Sequence, residues 1–241
     1  MQATFARCSR KISGAARAAA CLLGLIVAGP ASAAMITVSL GNTSPGFNDG
    51  DTPPLVPDIL PDILNAQSGQ PAPFDSGKGS DVLSNLDESW SFGYGAISGT
   101  ILSASLTLGI IDHDSAASGS QLAGYLLDGN DLTADLDALF EGGGGTNNEY
   151  NVYTLNLGPS LFADLADGSL LVDLALAGPG LETNLQTGAV TETGFNGAFL
   201  IFSTLSITTR DVQVPEPGSL ALFGLGLLAL AGAQRRRTVR C

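Results

Sequence analysis

Residues 100–111 read Thr-Ile-Leu-Ser-Ala-Ser-Leu-Thr-Leu-Gly-Ile-Ile. Leu102, Ala104, Leu106, Leu108 and Ile110 alternate with Ser103, Ser105, Thr107 and Gly109, the period-two pattern of a strand with one buried face. Working outward, Trp90, Phe92 and Tyr94 alternate with Ser91 and Gly93. Further strands are expected over residues 121–127, 151–157, 169–176 and 199–208, with Tyr153, Leu155 and Leu157 inward in the second of these four and Leu170, Val172, Leu174 and Leu176 inward in the third. Asp128-Gly129, Asp167-Gly168 and Gly178-Pro179-Gly180 punctuate them as turns. Short helical turns fit Leu132, Leu136, Leu139 and Phe140, and residues 161–166. Many short antiparallel strands with few long helices predict a mostly β chain, a single antiparallel β-sandwich of the jelly-roll kind over residues 88–213.

Residues 34–87 are expected to form a loop-rich N-terminal part of the same domain. Pro45, Pro53, Pro54, Pro57, Pro61, Pro71 and Pro73 fall here among many Gly, Asp, Ser and Asn, a composition that disfavours long helices. The short duplication Pro57-Asp58-Ile59-Leu60, Pro61-Asp62-Ile63-Leu64 reads either as a partner-docking motif or as a loop anchored to a sheet by its apolar side chains.

The two ends of the chain carry targeting patterns. Residues 1–33 have Arg7, Arg10, Lys11 and Arg17, then an apolar stretch from Ala18 to Ala28, then Pro30-Ala31-Ser32-Ala33. These are the three regions of a secretory signal peptide, with Ala31 and Ala33 as the small residues of the cleavage site. At the other end, Val214-Pro215-Glu216-Pro217 precedes an apolar run and then Arg235, Arg236 and Arg237. The run over residues 219–233 is short for an untilted span, but arginines directly after it suit a membrane helix with a basic cytoplasmic tail. Pro215 and Pro217 stop helical structure from running back into the domain.

This ending resembles the PEP-CTERM sorting signal of Gram-negative bacteria. The resemblance covers residues 214–237 and implies recognition of Pro215, Glu216 and Pro217 by a membrane-embedded exosortase, after export through the Sec translocon and removal of the leader by signal peptidase. It further implies transient anchoring in the inner membrane and delivery to the cell surface or an exopolysaccharide matrix.

Eight of the ten basic residues lie in the two targeting segments. Residues 35–216 retain Lys78 and Arg210 against 23 acidic side chains, a formal charge of −21. Such a surface argues against nucleic acid as a partner, because phosphates call for a basic face. An anionic polysaccharide would be repelled in the same way unless divalent cations intervene. Cys8, Cys21 and Cys241 all lie in the targeting segments, so the exported domain has no disulfide and stands on its apolar core.

Asp112-His113-Asp114-Ser115 follows directly on the clearest strand. Aspartates at alternate positions suit a hard cation with oxygen ligands, and Asp128 and Asp131 in a later turn are candidates to complete a calcium site with Asp112 and Asp114. The alternative is a solvated turn whose aspartates cap their own backbone. His113 is the single histidine, which excludes zinc sites built on several histidines or on histidine with cysteine; the flanking aspartates are expected to favour its charged form. Tyr125 and Tyr150 are candidate glycan contacts, whereas Trp90 sits in a strand pattern that favours core packing. No nucleophile elbow, zinc-protease or phosphate-loop sequence occurs. The expected function is therefore a non-catalytic surface or matrix protein with calcium or polysaccharide as ligands. A glycan-processing enzyme and a protein-adhesion module stay open as alternatives.

Overall fold

The structure is a computed structural model, and it describes residues 33–52, 60–184 and 186–210. The expected signal peptide up to Ser32, the sorting motif and the membrane helix 219–233 lie outside the described residues. Among those described, no helix is long and apolar enough to cross a membrane.

The chain is mostly antiparallel β. In order, it forms β1 (Ala33–Gly41), α1 (Leu60–Gln67), β2 (Asp87–Gly93), β3 (Thr100–Ile111), β4 (Leu122–Leu127), β5 (Asn130–Asp131), α2 (Thr133–Gly143) and β6 (Tyr150–Leu157). A 3-10 turn (Pro159–Leu161), α3 (Phe162–Leu165), β7 (Ser169–Leu176), β8 (Leu181–Thr183), β9 (Val190–Glu192) and β10 (Phe199–Arg210) follow. One four-stranded sheet has the order β1-β10-β3-β6 and another the order β2-β7-β4-β5, with β8 and β9 a separate hairpin. The apolar faces of the two larger sheets share one core, in which Leu106, Leu108 and Leu205 of the first meet Trp90, Phe92, Val172 and Leu174 of the second. Successive strands pass back and forth between these sheets, the connectivity found in jelly rolls.

β7 follows its sequence pattern closely: Leu170, Val172, Leu174 and Leu176 are all buried. β3 does not. Its pairing with β10 skips a residue between Thr209↔Ile101 and Thr208↔Ser103, so Leu102 is the extra residue of a β-bulge, and the bulge reverses which parity faces the core. Ile101 is 7% exposed and Leu102 is 41% exposed, the opposite of the strict alternation read from the sequence. A second bulge leaves Ile201 without a partner in β3. Ile201 is thereby buried in a satellite cluster with Ile111, Phe202, Tyr150 and Ile63.

Residues 34–87 are less loop-like than expected. β1 pairs with β10 along its whole length, from Ala33↔Arg210 to Gly41↔Phe202, and Ile36, Val38 and Leu40 pack against the core. The alternation of these three residues was the available signal, and it is masked by the many prolines downstream. α1 forms from the second half of the duplication and pins Ile63, while Leu64 stays exposed; Ile59 lies outside the described residues. The pairing of Ala33 with Arg210 and of Arg210 with Thr100 places both ends of the domain side by side at one pole. The turn after Ile111 leaves from the opposite pole, 11 residues farther along β3, or about 36 Å at the usual strand rise.

Candidate functional site

At that far pole the chain continues from β3 into Asp112, whose N–H donates to the Glu149 carbonyl at 3.0 Å. Asp112 and Asp114 both have positive φ, 69° and 57°, a left-handed conformation that aspartate tolerates better than most residues. The reversal turns the side chains inward. Asp112 and Ser115 are buried, and His113 and Asp114 have no exposed surface. A solvated turn is therefore not what forms.

Three carboxylates converge here. Asp112 Oδ1 accepts the Asn148 N–H at 2.6 Å, and Asp114 Oδ2 accepts the Leu181 N–H at 2.6 Å. The third comes from the loop ahead of β2: Asp81 Oδ1 accepts the Gly197 N–H at 2.8 Å, while its carbonyl accepts the Phe195 N–H at 3.1 Å. Asp81, Asp112 and Asp114 each offer an oxygen within 4.8 Å of the other two. Asn196, between the two residues that hold Asp81, donates from Nδ2 to the His113 carbonyl at 2.9 Å. Its amide therefore sits between the Asp81 loop and the Asp112–Asp114 turn.

No protein cation balances this charge among the described residues. Lys78 pairs with Asp75 at 3.1 Å, and Arg210 ends β10 at the other pole. At the dielectric typical of protein sites, two ionised carboxylates within 4.8 Å repel by at least about 3.5 kcal/mol. Burial pushes the Asp114 carboxyl up, and the negative charge of Asp112 pushes it further. Burial likewise raises Asp112, partly offset by the Asn148 N–H. Asp81 is raised by burial too, with the charge of Glu182 adding to the effect. Asp114 Oδ1 and Asn196 Oδ1 are both buried without an N–H or hydroxyl donor.

His113 points away from the carboxylates into an aromatic nest. Its Nε2 lies 2.6 Å from the Tyr153 hydroxyl, and its ring meets Phe140 edge-on at 4.3 Å and 89°. Burial drives its pKa down to about 4, so the imidazole is neutral at neutral pH. The expectation of a charge-stabilised histidine is overturned because loss of solvation outweighs attraction to neighbouring acids.

The other expected ligands lie elsewhere. Asp128 Oδ1 accepts the Leu171 N–H at 2.8 Å near the start of β7, whereas Asp114 holds Leu181, beyond the end of that strand. Asp131 Oδ1 accepts the Thr133 N–H at 2.9 Å and its hydroxyl at 2.6 Å, opening α2. Neither joins Asp112 and Asp114: the length of β7 separates them. Tyr125 and Tyr150 are 1% and 2% exposed, so their rings serve the core and cannot stack on a sugar. Trp90 packs edge-on against Phe74 at 5.5 Å. Sequence reasoning missed Asp81 and Asn196, because a lone Asp in one loop and a lone Asn in another carry no spacing signal.

Residues 213–237 match the family model of the PEP-CTERM protein-sorting motif. The chain carries a PEP-CTERM sorting signal. The match takes in Pro215, Glu216, Pro217, Arg235, Arg236 and Arg237, and the PEP-CTERM motif implies an exported protein handled by an exosortase through a membrane-anchored sorting signal. No curated protein matches the chain. Among solved structures, it is similar to part of BuGH86wt in its complex with neoagarooctaose, at 11% identity over 76% of this chain and 20% of that one, with a TM-score of 0.33. Dimeric latent PorU from Porphyromonas gingivalis is matched at 8% identity over 74% of this chain and 13% of that one, also at 0.33. This chain thus spans about a fifth and about an eighth of those proteins. Likeness at this level carries no argument about function.

Proposed function

We propose that this PEP-CTERM protein is exported through the Sec translocon, trimmed by signal peptidase after Ala33, processed by an exosortase at Pro215-Glu216-Pro217 and displayed at the cell surface or in the exopolysaccharide matrix as a non-catalytic domain. The observation that carries this reading is the matched motif beginning at residue 213, directly after β10 ends at Arg210. Ala33 opens β1 and pairs with Arg210, so the two ends of the described domain lie side by side at one pole. An extracellular polysaccharide is the partner of such a placement, with divalent cations mediating its contact with a domain of charge −21.

The non-catalytic reading draws on how the accessible carboxylates are used. An open groove is lined by Asp49, Glu149, Asn151 and Tyr153. Asp49 Oδ1 is committed to the Val152 N–H at 2.8 Å. Glu149 accepts from Thr146 and Asn151; burial alone would raise its pKa, but these hydrogen bonds hold it below the usual range. A general acid for glycoside cleavage needs the opposite shift.

The test is fractionation of producing cells carrying the native chain or a Pro215→Ala, Glu216→Ala double variant. The native chain is expected in the surface or matrix fraction, shortened by its tail. The variant is expected in the inner-membrane fraction with the tail retained. Equal delivery and equal mass for both chains would overturn the proposal.

A further inference from the structure

We propose that Asp81, Asp112 and Asp114, together with the side-chain oxygen of Asn196, bind one calcium ion and so fasten the loops at the pole of the sandwich farthest from Ala33 and Arg210. This inference is independent of the sorting proposal.

Convergence of acids would not suffice by itself. Two further groups point to a ligand. Asp114 has no exposed surface; its Oδ2 accepts from Leu181, and its Oδ1 meets no N–H or hydroxyl donor, only the neighbouring Asp112 carboxyl. Asn196 is equally buried, and because its Nδ2 must face the His113 carbonyl, its Oδ1 is oriented as an acceptor with no protein donor to meet. Buried acceptors left unpaired cost free energy that a bound cation would remove.

The chemistry selects the ion. Every converging atom is an oxygen, and no His113 nitrogen is among them, which favours a hard cation over zinc or copper. The three carboxylate oxygens lie within 4.8 Å of one another, close enough for all three to reach one ion at calcium–oxygen distances of about 2.4 Å. Magnesium, at about 2.1 Å with a strict octahedron, fits irregular loop donors less well. One oxygen of each carboxylate is already fixed by a backbone N–H, so the donors are positioned in advance. Asp81 is half-buried and provides the way in; water and a second carboxylate oxygen complete a shell of six to eight.

The position has a consequence. Asp81 comes from the loop before β2 and holds Phe195 and Gly197; Asp112 and Asp114 come from the end of β3 and hold Asn148 and Leu181. One ion would therefore cross-link three loops that the sheets leave separate, in a domain without disulfides.

The test uses the full chain in mild detergent, with thermal unfolding followed in chelator and in millimolar calcium. The native chain is expected to melt about 5–10 °C higher with calcium when the ion is about a hundredfold above its Kd. Asp114→Asn and Asp81→Asn are each expected to lose that rise. Asp114→Asn, which relieves repulsion between buried acids, should melt no lower than the native chain in chelator, so loss of the rise is not a failure to fold. Asp128→Asn, at the other pole, should keep the full rise. The proposal is overturned if calcium titrated calorimetrically into the native chain gives neither binding nor a melting shift, or if the shift persists in both Asp114→Asn and Asp81→Asn.

Discussion

Replacing Ile101 and Leu102 one at a time by alanine separates the register of β3 from the alternation of its sequence. The period-two pattern puts Leu102 with Ala104, Leu106 and Leu108 on the buried face. The bulge between Thr208 and Thr209 of β10 puts Ile101 there instead, at 7% exposure against 41% for Leu102. Truncating a buried isoleucine to alanine costs about 2–5 kcal/mol, depending on how far the cavity collapses. Ile101 lies at the end of its strand, where neighbours can relax, so about 2–3 kcal/mol is expected. Leu102 keeps much of its side chain in solvent, and its loss should cost under about 1 kcal/mol. For a domain of this size each kcal/mol lowers Tm by about 2–4 °C. Ile101→Ala should thus melt about 5–10 °C below the native chain, and Leu102→Ala less than about 4 °C below, by far-ultraviolet circular dichroism in chelator. If Leu102→Ala proves the more damaging of the two, the bulge is misplaced and the alternation runs unbroken along β3.

Acid should act through His113. A histidine whose folded pKa is depressed to about 4 is neutral in the native state, so its contribution is complete above the unfolded value near 6.5 and is lost as pH falls toward 4. The buried aspartates, with raised pKa values, work in the opposite direction, which makes His113→Gln the necessary comparison. Between pH 7.5 and 5 the native chain should lose about 2 kcal/mol more than His113→Gln in chelator; parallel pH profiles would sink this reading. Gly145 has φ +151°, and a Cβ there would run into the His113 ring and the Ser115 hydroxyl. Gly145→Ala is therefore expected to destabilise the chain by about 1–3 kcal/mol in urea unfolding, and an unchanged midpoint would refute it. Tyr153→Phe removes the hydroxyl that meets His113 Nε2 and leaves that nitrogen buried and unpaired. A loss of about 1–3 kcal/mol in the same assay is expected, and a neutral result would mean that water or a rotated ring replaces the bond.

Much of the fold was legible because burial in a sheet writes itself into every second residue. β7 shows this most plainly, with its four apolar residues all inward, and α2 buries Leu136 and Phe140 at the helical spacing expected of them. The misreadings have local causes. β1 is hard to read because its alternation of Ile36, Val38 and Leu40 precedes a proline-rich stretch, and α1 because its two turns bury Ile63 and Ala66 within what reads as loop. Tyr125 and Tyr150 have the composition of a sugar platform, but tyrosine is as suited to a core as to a surface, and only neighbouring strands decide which.

By itself, the sequence determined the class of the domain, its acidity, its lack of cysteine and its sorting tail. Each of these is a property of residues close together along the chain or of their sum: period-two patterning, net charge, and a Pro-Glu-Pro turn followed by an apolar run and arginines. The tertiary structure alone decided the parity of β3 and the membership of the carboxylate cluster. A bulge depends on the register of a partner strand about a hundred residues away. Asp81, Asp112, Asp114 and Asn196 come together because three loops close over the same pole of two packed sheets. Asp128 and Asp131 look equally suited in sequence but are carried to the other end of β7, because direction reverses with every strand.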